Sequence, residues 1–503
     1  MIARRLHRPL SGALLAVVVA GATLAATACG SDEAPRESRK KATHQRFESR
    51  PDLRPPKLAV AKAEAGTAPG YVFLGAKKKG KPGGPMIVDN NGEVVWFHPV
   101  HPRESADFRV QRYRGKPVLT WWEGTQPTIG IGDGTFVVMD SSYRRIAEVR
   151  AGNGFDGDLH EFLITPRNTA LLLAYEPVPR DLSSVGGPKK GHVWDNIVQE
   201  VDIASGRVLF EWHSLDHVGV AESTLREPAR KASAAAPFDY FHVNSVAEDT
   251  DGNLLLSARN TNAVYKIRRR DGKVLWRLGG RKSDFAMRRG TRFAFQHDAR
   301  READGTLSLF DNSAMPKVAE HSRAIVLRLD SRAKTASLVR EYVHPRRLLS
   351  PHQGNAQRLP NGNLLVGWGG QPYVTEFGAG GDLLFDARLA IGDSYRAYRF
   401  EWRARPADRP AVAVHAGDDE ALTVHVSWNG ATDVATWQVL AGDDLEQLDA
   451  VSTATKEGFE TAIELETEAR YLAVRALDAG GRTLGTSRAI DLSNEETGEA
   501  DGM

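Results

Sequence analysis

From Gly70 onward, short apolar runs alternate with turn residues. Asn90-Asn91-Gly92 leads into Glu93-Val94-Val95-Trp96-Phe97, Ser205-Gly206 into Val208-Leu209-Phe210-Glu211-Trp212, and Asp271-Gly272 into Val274-Leu275-Trp276. Between them, Asp251-Gly252-Asn253 precedes Leu254-Leu255-Leu256, Asp304-Gly305 precedes Leu307 to Phe310, and Asn361-Gly362-Asn363 precedes Leu364-Leu365-Val366. β-Branched and aromatic runs of this length, opened by such turns, read as strands. Extended helical periodicity is missing from the same region. The repeating unit is turn, apolar strand, turn, aromatic-ended strand, which is the size of one blade. A small sheet has an apolar face it cannot bury alone, and stacking blades around an axis buries both faces. The pattern predicts an all-β fold with a β-propeller over residues 65–403, in preference to a pair of sandwiches.

Residues 405–410 (Arg-Pro-Ala-Asp-Arg-Pro) break the pattern and read as a linker. Beyond them come Leu422-Thr423-Val424-His425-Val426-Ser427-Trp428, Thr436-Trp437-Gln438-Val439-Leu440 and Tyr471-Leu472-Ala473-Val474-Arg475-Ala476. A tryptophan strand and a late tyrosine strand predict a small fibronectin-type-III-like β-sandwich over 411–493. Residues 494–503 read as a frayed acidic tail.

The amino-terminal region reads as something other than a packed domain. Residues 30–64 are polar, with Pro35, Pro51, Pro55 and Pro56, and predict a disordered tether. Before them, Arg4, Arg5 and Arg8 precede the apolar stretch Leu14 to Ala28, which is too short for a permanent span and reads as a signal segment. Residues 1–29 therefore read as a lipoprotein signal peptide with Cys29, the only cysteine, as the lipidated residue. The expected location is the outer face of the cell membrane, held by lipid; the alternative is an ordinary secreted protein cut near Ala28, and either way the chain is exported. With one thiol, no internal disulfide forms. A net charge of +2 supplies no field for nucleic acid. Lys77, Lys78, Lys79 and Lys81 sit among glycine and proline and read as a solvated loop. At 41% hydrophobic, the 503 residues suffice for two or three domains.

Five segments carry candidate chemistry. They are Asp158-Leu159-His160-Glu161, Phe241-His242-Val243-Asn244-Ser245, Ser257-Ala258-Arg259-Asn260, Phe295-Gln296-His297-Asp298-Ala299, and Ser350-Pro351-His352-Gln353-Gly354-Asn355. A single histidine at a strand start is usually a satisfied structural residue, because imidazole bonds loop carbonyls. Four at matching blade positions predict one shared pocket, since packing alone does not call for the same polar type in successive blades. His192, His213, His217, His321 and His344 lack this context and read as structural or surface residues. Two rival readings use the same residues: His160, His242, His297 and His352 holding zinc or copper beside Asp298, or a non-catalytic anchored scaffold for a ligand or partner. The charge of Arg259 opposes the metal reading, and the arginine-plus-histidine set opposes the scaffold. Gly130, Gly132 and Gly134 read as a turn, because no helix follows them.

The segments QEVDIASGRVLFEWHSLDHV (199–218), DYFHVNSV (239–246), LLLSARNTNAVYKI (254–267), FQHDAR (295–300) and SPHQGNAQRLPNGN (350–363) resemble the bacterial arylsulfotransferase (ASST) family. That resemblance implies a six-bladed propeller and transfer of a sulfuryl group from an aryl sulfate to a phenol, with no nucleotide donor and no cofactor. The implied partners are small phenolic donors and acceptors. Residue by residue, His297 resembles the nucleophile that becomes sulfated, His242 and Asn244 the His-x-Asn element, Arg259 the arginine that follows it, and His160 the earlier pocket histidine. His352, Asn355 and Gln296 are expected to contact substrate. No metal is implied. The residue types suit the chemistry. Sulfuryl transfer, like phosphoryl transfer, spreads negative charge over equatorial oxygens, which fixed donors stabilise. A neutral imidazole can attack sulfur, and a second can carry the phenol proton near neutral pH.

Overall fold

The turns written into the sequence fall where strands meet. Leu254–Ala258 follows the turn at Gly252, and Leu307–Asp311 follows the turn at Gly305. These two glycines hold φ at +77° and +79°, a conformation that costs other residues about 1–2 kcal/mol. Asp304 completes its turn by accepting the Thr306 N–H at 3.0 Å.

The computed structural model describes residues 42–77, 83–128, 130–225, 227–314, 317–416 and 421–493. Cys29 with the 1–29 segment, Lys78, Lys79 and Lys81, and the 494–503 tail lie outside these residues. From Thr43 on, the described residues belong to one compact unit. No helix among them is long and apolar enough to cross a membrane.

Six sheets follow one another along the chain, antiparallel throughout except where Ala286–Met287 joins the fifth in parallel. The second runs Glu104–Tyr113, Lys116–Thr128, Ile131–Met139, Arg145–Val149, and the third Phe162–Ile164, Thr169–Arg180, Gly191–Asp202, Val208–His213. The fourth is Val243–Glu248, Leu254–Ala258, Ala263–Ile267, Val274–Gly279. The fifth is His297–Arg301, Leu307–Asp311, Arg323–Asp330, Thr335–Tyr342, with Ala286–Met287 added outside. The sixth is Asn355–Arg358, Leu364–Gly367, Tyr373–Phe377, Leu383–Leu389. The first sheet takes Tyr71–Lys77, Gly84–Val88 and Val94–Phe97 from the start of the region. Its remaining strand, Asp393–Phe400, comes from the far end and pairs with Tyr71–Lys77. Each sheet touches the next, and Asn355–Arg358 brings the sixth against Asp393–Phe400 of the first. The all-β class agrees with the sequence pattern, and six sheets, four of four strands and two of five, match the number the family resemblance implies.

The expected tether ends earlier than residue 64. Leu58–Ala63 is a fifth strand on the sixth sheet, paired with Leu383–Leu389. Ahead of it, Phe47 packs on Phe459 with ring centroids 4.2 Å apart, and Ser49 donates its backbone N–H to Glu460 at 2.6 Å. The alternating Leu58-Ala59-Val60 run was masked by the prolines around it. Residues 411–493 form a three-stranded and a five-stranded sheet, with Val426, Trp437 and Val474 in a common core. The 405–410 linker is fixed rather than free: Arg405 and Ala407 donate backbone N–H groups to Ser141 and Ser142 at 3.1 and 3.0 Å. Asn429 exchanges two 3.0 Å bonds with the Phe97 backbone.

Neighbouring sheets are joined by side-chain amides. Gln111 receives Ile164 N–H at 2.8 Å and donates to Phe162 O at 2.9 Å. Asn196 receives Val243 N–H at 2.8 Å. Gln357 makes the same two-point bridge to Arg399, at 2.8 and 3.0 Å. Deeper between the first strands lies a buried cluster of three guanidiniums and three carboxylates. Arg396 reaches Asp107 at 2.9 Å and Glu161 at 3.2 Å. Arg300 reaches Glu161 at 2.5 Å and Asp298 at 2.6 Å, and Arg109 bonds both Asp107 and Glu161. Burial alone would raise the Glu161 carboxyl, but Arg300, Arg396 and Arg109 hold it well below its ordinary range.

Breaking one partner of such a cluster leaves an uncompensated buried charge. Arg396→Met is expected to lose about 3–5 kcal/mol in urea unfolding. Arg270→Met, at an exposed pair 3.8 Å from Asp271, should stay within about 0.5 kcal/mol of the parent.

Candidate active site

All four candidate histidines sit at the same end of their sheets. His160, His242 and His352 lie just before the first strands of the third, fourth and sixth sheets, and His297 begins that of the fifth. Arg259 directly follows the second strand of the fourth sheet. Antiparallel pairing therefore lays it beside His242, and its N–H donates to His242 O at 2.9 Å.

Three of the imidazoles are anchored through Nδ1. His160 Nδ1 lies 2.5 Å from Asp158 Oδ1, and His242 Nδ1 lies 2.5 Å from Asp239 Oδ2. His297 Nδ1 lies 3.0 Å from Phe295 O and 2.7 Å from Asn312 Oδ1. Asn312 gives its own hydrogens to Ser350 O and Gln353 O, at 3.2 and 2.9 Å, so its oxygen faces the ring. A carbonyl and an amide oxygen both require a donor, which assigns the hydrogen of His297 to Nδ1 and the lone pair to Nε2. That Nε2 accepts Gln353 N–H at 3.2 Å. His242 Nε2 is buried without a hydrogen-bond partner.

The rings converge. His160 and His242 meet edge to face with centroids 4.9 Å apart, and Tyr395 and Tyr175 stand 5.5 and 6.1 Å from His160. Arg259 lies over the Phe295 ring at 5.4 Å and within 3.6 Å of Asp239. Burial, then the Arg259 charge, pushes His242 down to about 4. The same two causes, with His160 and His242 adding to them, hold His297 well below its ordinary value. Both rings are thus neutral at pH 7.

The backbone here is strained. His242, Phe295, Asp298 and Gln353 all have φ between +54° and +64°. Such conformations cost of order 1–3 kcal/mol each and concentrate at functional sites.

The remaining candidates divide. His352 rests on the bare backbone of Gly370, where a Cβ would come 2.7 Å from its Cε1, and its Nδ1 is buried without a partner. Asn355 was expected to touch substrate. Instead its amide accepts Ala397 N–H at 2.9 Å and donates to Ala397 O at 2.8 Å, binding the sixth sheet to the first. Gln296 spends its Nε2 on Ser257, Ala258 and Ala263 of the fourth sheet. Asn244 donates to Gln296 O at 2.8 Å, so it holds the segment that presents His297. The shared cause is the need to satisfy backbone groups buried between sheets. Amide side chains thus recur between sheets for packing reasons that the reading of the histidines did not consider. His213 binds Asp195 and Glu211, and His344 binds Asp386, as structural residues do. Gly130 turns the second sheet's long hairpin; Gly132 and Gly134 lie inside its strand, where a Cβ would strike Trp122 at 2.7 Å.

Sequence reasoning missed Asp239, Asn312 and the two tyrosines. The available cue for Asp239 was an acid three residues before His242. Asn312 carries no local cue. Among the described residues, no three histidine, cysteine or acidic side chains are grouped as a metal ion requires.

Among solved structures, a Bacteroides caccae protein of unknown function is similar at 14% identity, over 66% of this chain and 98% of that one, with a TM-score of 0.39. A Penicillium chrysogenum alpha-L-arabinanase complexed with arabinobiose is similar at 11% identity, over 72% and 94%, with a TM-score of 0.35. No curated protein matches. A family model described as Arylsulfotransferase (ASST) matches residues 109–390, more than half of the chain and a span that holds every histidine and arginine of the site. The chain belongs to the arylsulfotransferase family.

Proposed function

We propose that this protein transfers a sulfuryl group from an aryl sulfate to a phenolic acceptor through a sulfated His297. The observation that carries the reading is a set of imidazoles anchored at Nδ1 beside the partly buried Arg259 guanidinium. The Nε2 of His242 has no partner and that of His297 accepts only the Gln353 N–H, which leaves both for chemistry.

In the first half, the Nε2 lone pair of His297 attacks sulfur. The N–S bond forms as the S–O bond to the aryl group breaks, and the phenoxide leaves with the bonding pair. The lone pair must first leave Gln353 N–H, which then becomes a donor for a sulfuryl oxygen. Arg259 supplies a charged donor at the same place. The aryl oxygen leaves as the phenoxide, beside the Arg259 charge, and takes its proton from solvent. In the second half the neutral His242 Nε2, held from behind by Asp239, takes the proton of the incoming phenol as its oxygen attacks sulfur and the N–S bond breaks; the proton then passes to solvent. Asn312 acts through His297, as a positioning residue that keeps its tautomer.

His297→Ala is expected to abolish turnover of a chromogenic aryl sulfate, whereas His192→Ala retains it. Removing one donor of this kind typically costs about 2.7–4 kcal/mol of transition-state stabilisation, so Arg259→Gln should lower kcat/KM by about 100-fold or more. A burst of phenol before acceptor is added is the expected sign of the intermediate. Equal rates in the two histidine variants would remove the mechanism.

The low value for His242 has a second consequence. In the unfolded chain histidine titrates near 6.5, while the folded ring takes its proton near pH 4. Between those values acid loads the unfolded state first. Its contribution to stability is thus complete above pH 6.5 and declines as the pH falls toward 4. NMR titration should find the His242 ring neutral at pH 5.

We infer from the sequence that the enzyme works outside the cytoplasm, anchored through Cys29. Labelled palmitate should enter the full-length protein in an expressing bacterium and be lost in Cys29→Ala. Incorporation unchanged by that substitution would overturn the anchor.

A further inference from the structure

The fourth and fifth sheets part at the end where Arg259 and His297 lie. The cavity between them has a volume of about 770 Å³, and none of the four histidines lines it. Its size is that of a small-molecule site.

One segment, residues 279–293, builds most of the wall. It carries Arg281, Lys282, Arg288, Arg289 and Arg292 against Asp284 alone. Asp284 turns its carboxylate to Arg277 N–H at 2.7 Å. Among the described residues, no carboxylate lines the cavity. Phe285 and Phe293, both largely buried, form its aromatic floor, and Met287, Ala294 and Val318 add apolar surface beside them. Phe293 lies on the bare backbone of Gly279, where a Cβ would come 2.9 Å from its Cζ, and Phe285 stands edge-on to Trp276 at 5.5 Å.

The guanidiniums differ in what they already hold. Arg323 is occupied by Asp311 and Glu341 at 3.0 and 2.6 Å, and it grips the carbonyls of Gly290 and Arg292 at 3.1 and 2.9 Å. That grip fixes the backbone beneath Arg292. Arg281 gives one hydrogen to Ser223 O at 2.9 Å. Neither Arg281 nor Arg292 has a carboxylate partner among the described residues, and both are exposed at the cavity rim. A rigid aromatic floor beneath two unneutralised guanidiniums matches one ligand chemistry. Guanidinium binds planar anions in a fork, and an aryl ring adds face and edge contacts.

We propose that this groove binds a small aromatic anion, its ring against Phe285 and Phe293 and its anionic group at Arg281 and Arg292. The site is separate from the histidine pocket and does not depend on the transfer reaction.

Isothermal titration of the full-length protein with 2-naphthoate tests it. One molar equivalent should bind, and the Arg281→Gln/Arg292→Gln variant should bind at least about tenfold more weakly. Both positions are exposed, so an unchanged melting temperature confirms that the variant is folded. His297→Ala should bind as the parent does. The proposal fails if the arginine variant keeps full affinity, or if His297→Ala loses it, which would place the ligand among the histidines. It also fails if inorganic phosphate binds as tightly as naphthoate, since an anion patch needs no aromatic floor, or if naphthoate does not bind.

Discussion

The hub of the six sheets is held by charge. Arg109, Arg300 and Arg396 face Asp107, Glu161 and Asp298, three positive groups against three negative ones, all buried except Arg300, which is partly exposed. These residues come from the first strands of the second, third and fifth sheets, or the residue just ahead of them, and from the Asp393–Phe400 strand of the first; Arg396 also reaches the Asn244 carbonyl of the fourth at 3.0 Å. In low dielectric, none of these groups is tolerable without its partners. The first strands must therefore arrive in one relative placement, whereas apolar packing alone would tolerate small slides. Hydrophobic clusters fill the spaces between sheets, but the charges set the register at the centre.

The reactive layer is built directly on this one. His160 is followed by Glu161 and His297 by Asp298, so successive residues serve the site and the charge cluster in turn. A first-strand start thus carries an imidazole upward and an anion inward. The left-handed backbone at His242, Phe295 and Asp298 is the cost of bending the chain for both tasks. Because the cluster is neutral as a whole, it adds little net potential to the histidines above. Burial first, and then Arg259, which has Asp239 at 3.6 Å, push His242 and His297 toward their neutral forms.

Much of the fold was legible because its turns are local. Asn-Gly and Asp-Gly pairs mark the strand entries, and four histidines at strand starts mark one end of the sheets. Residues whose partners lie far along the chain were illegible. Asn355 and Gln296 stand beside the histidines and looked like pocket residues, yet their amides are bound to Ala397 and to the fourth sheet. Asn312 fixes the tautomer of His297 from fifteen residues away, and nothing in its neighbourhood distinguishes it from any other asparagine. The Leu58–Ala63 strand was hidden by its proline-rich surroundings, since composition averages over a window and pairing does not.

The strand Asp393–Phe400 fixes the order of events during synthesis. It brings Arg396 to the hub and closes the hydrogen-bond edge of Tyr71–Lys77, some three hundred residues upstream. Until it emerges, Asp107, Glu161 and Asp298 share two guanidiniums instead of three. Nascent chains ending before this strand are therefore not smaller versions of the domain. They carry excess buried negative charge and an open sheet edge, which makes assembly close to all-or-none and contact-order limited.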